Sequence, residues 1–585
     1  MKKTFTLIIA LLAISYVRAQ TSYYVDGANG NDSYTGTSLG QAWQTIQNAF
    51  DYATPGSTVY IRGGTYYENV YGNVSGTAGN PITFRNYQDE VVILDGTGTA
   101  LNDMLYIEDQ SNLIIENITV QNKVVNYATG VTISCTASAS VSDITLHNLK
   151  ISGINWTSNG SAIPTSNDNS NPLLIIGAGT NQANAITNVV IDSCEVYSNI
   201  TGFSESLSLD GNVDSFVVSN NRVHDNKNIG IDMAGNYQVS SNAAVDQARN
   251  GYCVNNTCYN NVSNYATSGG IYVDGGKNII IERNTSYGNG WGIEIGSEEN
   301  GSTSGIIVRD NVIYNNKQAG LAIGGYNTAT TGQVLNSFVL NNTFLKDDYS
   351  NSGTGEIYMT KMANCKIQNN VFYTNAQNIL ITRDNITPFS GNSINYNCWY
   401  TPNNNSNSIT VAWAGSSYST FSNYVAQTGM DANSVYADPQ IASNSTSSPD
   451  FHLLGGSACI DAGDPTFIAG SNETDYYGGT RVINSIVDIG AQEYYTTTVV
   501  DEGKSEFAIS VYPNPFSAET TISINTGLSN ATLQVYDLTG KVMIAKENIS
   551  GQQFMIYRGN LSTGIYFYMI SQENKVVVTG KLLVN

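Results

Sequence analysis

Nine copies of one short pattern fill the stretch from about residue 113 to 375, and no other feature constrains the fold as tightly. Residues 113–122 (LIIENITVQN), 144–153 (ITLHNLKISG), 189–199 (VVIDSCEVYSN) and 216–226 (FVVSNNRVHDN) are followed by 252–261, 279–289, 306–316, 338–348 and 365–375. Each copy reads as a short apolar strand, an Asn-bearing corner, a second short strand and a polar turn. A third strand of the type Gly-Ile-x-φ lies between copies, at 230–233 (GIDM), 270–273 (GIYV), 292–295 (GIEI) and 320–323 (GLAI). Three strands per turn, at roughly 22–28 residues, is the period of a parallel β-solenoid. Asn suits the corners because it tolerates the left-handed conformation and bonds neighbouring backbone, and stacked copies form a side-chain ladder.

Composition agrees with a turn-rich β protein. Charged residues are only 12% of the chain, whereas apolar residues reach 41%, which argues against disorder. The net charge of −22 argues against nucleic acid and anionic membrane surfaces as partners. An acidic surface also keeps an exported protein soluble. The N-terminus has the form of a secretory signal: Lys2 and Lys3 precede an apolar run at 5–14, with small residues before Gln20. Cleavage after Ala19 is expected, and no later segment reads as a membrane span. The seven cysteines are scattered, and Cys258 takes the repeat position of Val196 and Val223, which makes it an interior residue. With three His and no CxxC, a zinc site is not expected.

The ends of the repeat carry signals of their own. Residues 42–53 (AWQTIQNAFDYA) have helical spacing before Pro55 and Gly56, and a helix there would cover the open first coil. With the loop after 23–27 (YYVDG) and the strand 58–66 (TVYIRGGTY), this segment resembles the N-terminal cap of secreted bacterial right-handed parallel β-helix proteins, among them polysaccharide lyases and glycosidases. Residues 450–463 (DFHLLGGSACIDAG) and 487–493 (VDIGAQE) look like the closing segment of that group. After a polar linker, 512–516 (YPNPF) opens a different unit of alternating strands ending in 581–584 (KLLV). It resembles the C-terminal sorting domain of the type IX secretion system. The expected organisation is a signal peptide at 1–19, a pectate-lyase-like parallel β-helix at 20–496, a linker at 497–508 and a small β-sandwich sorting domain at 509–585. The resemblance implies secretion or display at the cell surface, with the type IX machinery as a partner, and a monomer.

Strand alternation locates the candidate chemistry. In the Gly-Ile strands Leu209, Ile231, Met233, Val273 and Ile295 turn inward. Asp210, Asp232, Tyr272, Asp274 and Glu294 then turn outward on one sheet. With coils about 4.8 Å apart the four carboxylates form a patch roughly 10–15 Å long, suited to two or three sugar units. Asp210 and Asp274 are candidate Ca²⁺ ligands, since carboxylate oxygens suit that ion. A uronate held against Ca²⁺ would lose its C5 proton to a base, for which Lys277, Arg249 and Tyr272 are candidates. Asp232 and Glu294 stand near the separation of roughly 6.5–9.5 Å that inverting glycosidases use. Residues 237–250 interrupt the repeat, which adds weight to Asp246 and Arg249, since such insertions build binding sites. His224 reads as structural, and Tyr259, Tyr287 and Tyr314 as an aromatic stack.

The expectation for function is therefore a secreted carbohydrate-active protein. Its first form is a polysaccharide lyase acting on an acidic glycan with Ca²⁺, with catalytic Lys277, Arg249, Tyr272 and Asp232, substrate-binding Asp246 and Glu294, and metal-binding Asp210 and Asp274. A glycoside hydrolase using paired carboxylates, and a non-catalytic glycan-binding surface protein, are the alternatives. The resemblance implies no particular reaction: the calcium-and-lysine signature of pectate lyases is missing, as is the Asn/Lys/Arg set of the chondroitinase B and alginate lyase group.

Overall fold

Stacked β-coils form the main unit. The computed structural model describes residues 21–325, 332–470, 473–495, 509–514, 516–537, 541–559, 561–562, 564–572 and 575–584. The signal segment and the linker expected from the sequence lie outside them. Contacts divide the chain into two units, Met1–Tyr495 and Thr496–Asn585.

The first unit is a right-handed parallel β-helix whose described strands make three long sheets of 17, 13 and 13 strands. These are parallel except for the last strand of one of them, Ser416–Tyr418, and a separate antiparallel pair joins Ile441–Ser443 to Asp450–Leu453. Each coil passes from the 17-stranded sheet through an Asn corner into a corner sheet, then into the sheet carrying the Gly-Ile strands. Along residues 256–397 the coils repeat every 27–31 residues, at and just above the upper end of the expected period. The apolar members of every strand fill one continuous core, where Leu209, Ile231, Met233, Val273, Ile295 and Cys258 are fully buried. The expected helix is Ile46–Tyr52, capped by the Thr45 side chain accepting from the Asn48 amide. Its Phe50 stacks on Phe84 at 3.8 Å, covering the first coils.

The corner divides its two tasks between neighbouring residues. The first residue takes the left-handed conformation, as at Asn220, Asn255, Asn341 and Asn369. The second, a fully buried Asn, builds the ladder Asn221, Asn256, Asn284, Asn311, Asn342, Asn370 and Asn397. Each amide nitrogen donates to the next Asn oxygen at 2.9–3.1 Å, or from Asn397 to Asp431 at 3.2 Å. A second ladder, Asn199, Asn226, Asn261, Asn289 and Asn316, runs along the opposite edge of the corner sheet and ends on Asp347. These amides satisfy backbone groups that the tight corners leave unpaired inside the coil.

On the outer face of the corner sheet Tyr259, Tyr287 and Tyr314 stack at 5.0 and 4.8 Å, with the His224 ring continuing the stack at 4.5 Å from Tyr259. The closing segment packs back along this face. There Arg481, fully buried, meets Asp310 at 3.3 Å and Glu493 at 3.4 Å, and Arg309 pairs with Glu473.

In the second unit the described strands are hydrogen-bonded into one five-stranded antiparallel sheet. Its strands Glu519–Tyr536 and Val542–Tyr557 are long and carry register shifts between Ser523 and Leu533. Ile522, Leu533, Val535, Ile556, Tyr568 and Leu582 form its core.

Candidate functional site

The register of the Gly-Ile sheet places the candidate carboxylates in two outward columns. Ser208, Asp232, Tyr272, Glu294 and Ala322 stand directly beside one another on successive strands. Two residues further along, Asp210 and Asp274 flank Ala234, whose methyl group leaves a hollow between them. Neighbouring strands are about 4.8 Å apart, so Asp232 and Asp274, one strand and two residues apart, have Cα atoms about 8 Å from each other.

The alternation is as expected, but the exposure is not. Asp232 and Asp274 are only 3% and 2% exposed, and Asp210 and Glu294 are half-buried. Loops from four coils rise around the sheet and convert the part of the patch carrying Asp210, Asp232, Tyr272 and Asp274 into the floor of a cavity of about 390 Å³, which Glu294 does not line. Phe203 and Glu205 come from the loop before Leu207–Gly211, and Tyr237 from the insertion after Ile231–Met233. Ala266 and Thr267 precede Gly269–Asp274, and Glu298 follows Trp291–Gly296. At the mouth Phe203 meets Tyr265 edge to face at 5.4 Å, and the Tyr265 hydroxyl donates to the Gly202 carbonyl at 2.7 Å.

The two basic candidates are elsewhere. Gly275, in the left-handed conformation (φ 84°), turns the chain out of the Gly-Ile sheet, so Lys277 begins a strand of the 17-stranded sheet. A side chain at Gly275 would place its Cβ 2.4 Å from the Gly235 carbonyl oxygen. Arg249 pairs in register with Lys277 on that same sheet. Its guanidinium is consumed by Asp214 at 3.0 Å, Asn212 at 2.8 Å and the carbonyls of Val245 and Gln247 at 3.1 Å. Asp246 is also structural: it accepts from the amides of Gln238 (2.7 Å) and Ser240 (2.8 Å), holding the insertion that carries Tyr237. Among the described residues the cavity is lined by no Lys, Arg or His.

Sequence reasoning missed Glu205, Glu298, Phe203, Tyr237 and Asn228. The only available signal was an acidic residue within two positions of a Gly-Ile strand at each end, Glu205 before Leu207 and Glu298 after Gly296.

Crowded, buried carboxyls disfavour their charged forms. Burial, then Asp246, pushes Asp210 up to about 7. Burial, then Glu298, pushes Asp274 up to about 7, against the Tyr237 hydroxyl and the Glu298 amide, which donate to its two oxygens. Burial followed by Glu205 raises Asp232 well above the carboxylate range, and burial followed by Asp210 does the same to Glu205. Glu294 is likewise raised, by burial and then by Glu298. Tyr272 sits between Asp232 and Glu294, and its burial raises its hydroxyl. That hydroxyl lies against Gly296, where a Cβ would come within 2.9 Å of it.

The carboxyls therefore fall into two kinds. Asp274 has a donor on each oxygen, the arrangement of a carboxylate. Asp210 and Asp232 each bury an Oδ1 atom with no partner, as Asn228 does on the cavity wall. Such atoms await a proton, a cation or a ligand hydroxyl. Their oxygen-only chemistry suits Ca²⁺. Their spacing does not, because among the described residues no three acidic, imidazole or thiol groups converge as a metal cage.

Comparison with known proteins gives three kinds of result. Residues 510–585 match the secretion system C-terminal sorting domain, so the chain carries a type IX export signal and is secreted or displayed at the cell surface. No helix among the described residues is long and apolar enough to cross a membrane. The uncharacterized protein YwoF of Bacillus subtilis is 33% identical over 432 residues, covering 71% of this chain and 88% of that protein. Pectate lyase PEL9 of Emericella nidulans is 47% identical over 70 residues, covering 12% of this chain and 17% of that protein. Among solved structures, pectate lyase Pel9A aligns over 82% of this chain and 98% of its own, with a TM-score of 0.44 and 16% identity.

Proposed function

The chain belongs to the family of the Bacillus subtilis protein YwoF, and we propose that it is a carbohydrate-active enzyme that hydrolyses a glycosidic bond in the acidic cavity. The observation that carries this reading is a cavity whose ionisable lining, among the described residues, is carboxyl and tyrosine groups alone, with two kinds of carboxyl facing one hollow. Asp232, whose burial and neighbouring Glu205 favour its protonated form, is the general acid that gives its proton to the bridging oxygen. Asp274, which Tyr237 and the Glu298 amide donate to and which ionises above about 7, is the base that takes a proton from the attacking water. The bond from the anomeric carbon to the leaving sugar breaks as the bond to water forms. Side chains rising from Cα atoms about 8 Å apart can reach the carboxyl separation of roughly 6.5–9.5 Å that inversion uses. Asn228 Oδ1 and the aromatic edge at Phe203 are suited to a sugar's hydroxyls and ring face.

A second reading, β-elimination of an acidic glycan assisted by Ca²⁺, is favoured by the unpartnered oxygens of Asp210 and Asp232 and by the short likeness to PEL9. Glu205, Asp210 and Asp232 would hold the ion, and they must draw closer together to do so. The carboxyls of the cavity that are ionised repel a uronate unless a cation neutralises them, so this reading requires the metal.

A panel of neutral and acidic polysaccharides separates the two. Hydrolysis releases reducing ends without ultraviolet absorbance, persists in EDTA, and falls by about 10²-fold or more in Asp232→Asn or Asp274→Asn. Unsaturated uronate products that vanish with EDTA would establish the lyase instead. Binding without turnover on every glycan would leave only a surface lectin.

A further inference from the structure

All seven cysteines are buried, and two stand apart from the rest. Cys135, Cys194, Cys253, Cys258 and Cys365 belong to the coil interior. Cys398 lies on the strand Cys398–Tyr400, whose Trp399 points into the coil, so Cys398 and Tyr400 face outward. There they meet the closing segment, and Cys459 of that segment belongs to the same buried cluster. The two thiols are in hydrogen-bonding contact, and Cys398 Sγ lies 3.4 Å from the Ala437 carbonyl. The backbone around Cys459 is fixed, its amide donating to Ser457 Oγ at 3.1 Å and its carbonyl accepting from Ile489 at 2.9 Å.

We propose that Cys398 and Cys459 are joined by a disulfide in the exported protein, a covalent staple between the last coils and the segment that closes the solenoid. Two thiols in contact within a chain exported from the cytoplasm meet the conditions for oxidation, since extracytoplasmic compartments favour disulfides. The oxidant is a protein disulfide of the exchange class. One cysteine thiolate attacks it to give a mixed disulfide; the second displaces the oxidant's sulfur, and the oxidant leaves as a dithiol carrying the two electrons and two protons. The attacking species is the thiolate, and the Cys459 contact, followed by burial, pushes the Cys398 thiol well above its ordinary range. Exchange therefore precedes docking of the closing segment, and the finished bond is shielded from reductants. The staple secures the segment that carries Arg481, Glu473 and Glu493 onto Asp310 and Arg309.

The test uses full-length protein recovered from outside the cells, denatured and alkylated without reductant. Five of the seven thiols should be modified, seven after reduction, and a single cross-linked peptide pair should contain Cys398 and Cys459. Seven modified thiols without reductant, or a pair joining either cysteine to another partner, overturns the proposal. Reduction should lower the melting temperature of the wild type and of Cys258→Ala. It should leave Cys398→Ala and Cys459→Ala unchanged, each already lowered to the reduced value. A Cys398→Ala protein that still loses stability on reduction also overturns it. Should either variant fail to fold, the thiol count on the wild type decides.

Discussion

Asp347 ends an asparagine ladder, and replacing it with asparagine should stabilise the protein at alkaline pH. Its Oδ1 accepts from the Asn316 amide and side chain, both at 2.8 Å, as an asparagine oxygen does one coil earlier. Its Oδ2 faces the buried carboxyl of Glu356, and the two carboxyls share a side-chain hydrogen bond that requires a proton. Both residues are at most 1% exposed. Burial pushes Asp347 from 3.8 up to about 7, although the Asn316 donors pull the other way. A folded-state value above the unfolded one means the contribution to stability is complete below about 3.8 and is lost as pH rises through about 7. Three units at about 1.4 kcal/mol each make the loss about 4 kcal/mol above pH 8. Asparagine cannot ionise; its oxygen keeps the Asn316 bonds, and its nitrogen can donate to Glu356. Asp347→Asn should therefore match the wild type at pH 4 and exceed it by about 4 kcal/mol at pH 8.5. For a unit of this size that is roughly 4–8 °C in melting temperature, on the scaling of entropy with chain length. Thermal melts of wild type and variant across pH 4–9 read the difference directly. A variant less stable than the wild type at pH 8.5, or a difference that does not grow with pH, would falsify the assignment of a buried, proton-requiring carboxyl pair.

Tyr237→Phe removes one donor from Asp274, and a hydrogen bond to a charged group is worth about 1.5–3 kcal/mol. Under the proposed mechanism the wild-type rate should fall as pH drops below about 7, where Asp274 takes up its proton, and the variant should move that acid limb upward by about 1–2 units. An unshifted pH–rate profile would remove Asp274 as the base. Lys277→Ala and Arg249→Lys should leave the acid limb in place, because neither side chain lines the cavity, although Arg249→Lys should lower thermal stability through its lost contacts to Asp214 and Asn212. Deleting residues 510–585 should hold the protein in the periplasm, read by fractionation and immunoblotting; undiminished export of the truncated chain would contradict the sorting role.

Much of the fold was legible because a solenoid is built from nearest-neighbour contacts that recur in sequence. The repeat specified three strands per coil, the alternation placed Leu209, Ile231, Met233, Val273 and Ile295 in the core, and recurring asparagines foretold the ladders. Which side of its strand each of Asp210, Asp232, Asp274 and Glu294 faces was also present in the residues. Their environment was not. Strand periodicity says that a side chain leaves the core, but not whether another part of the chain covers it on the outside. The loops bearing Glu205, Tyr237 and Glu298 have no period, and only folding brings them over the same three strands to bury Asp232 and Asp274. Lys277 illustrates the converse: three residues from Asp274 in sequence, it is on another sheet, because the left-handed turn at Gly275 lies between them. Sequence alone thus determined the coil and the facing of its side chains through local, repeating geometry. Tertiary structure alone decided which of those side chains share one low-dielectric cavity, and therefore which carboxyls keep their protons.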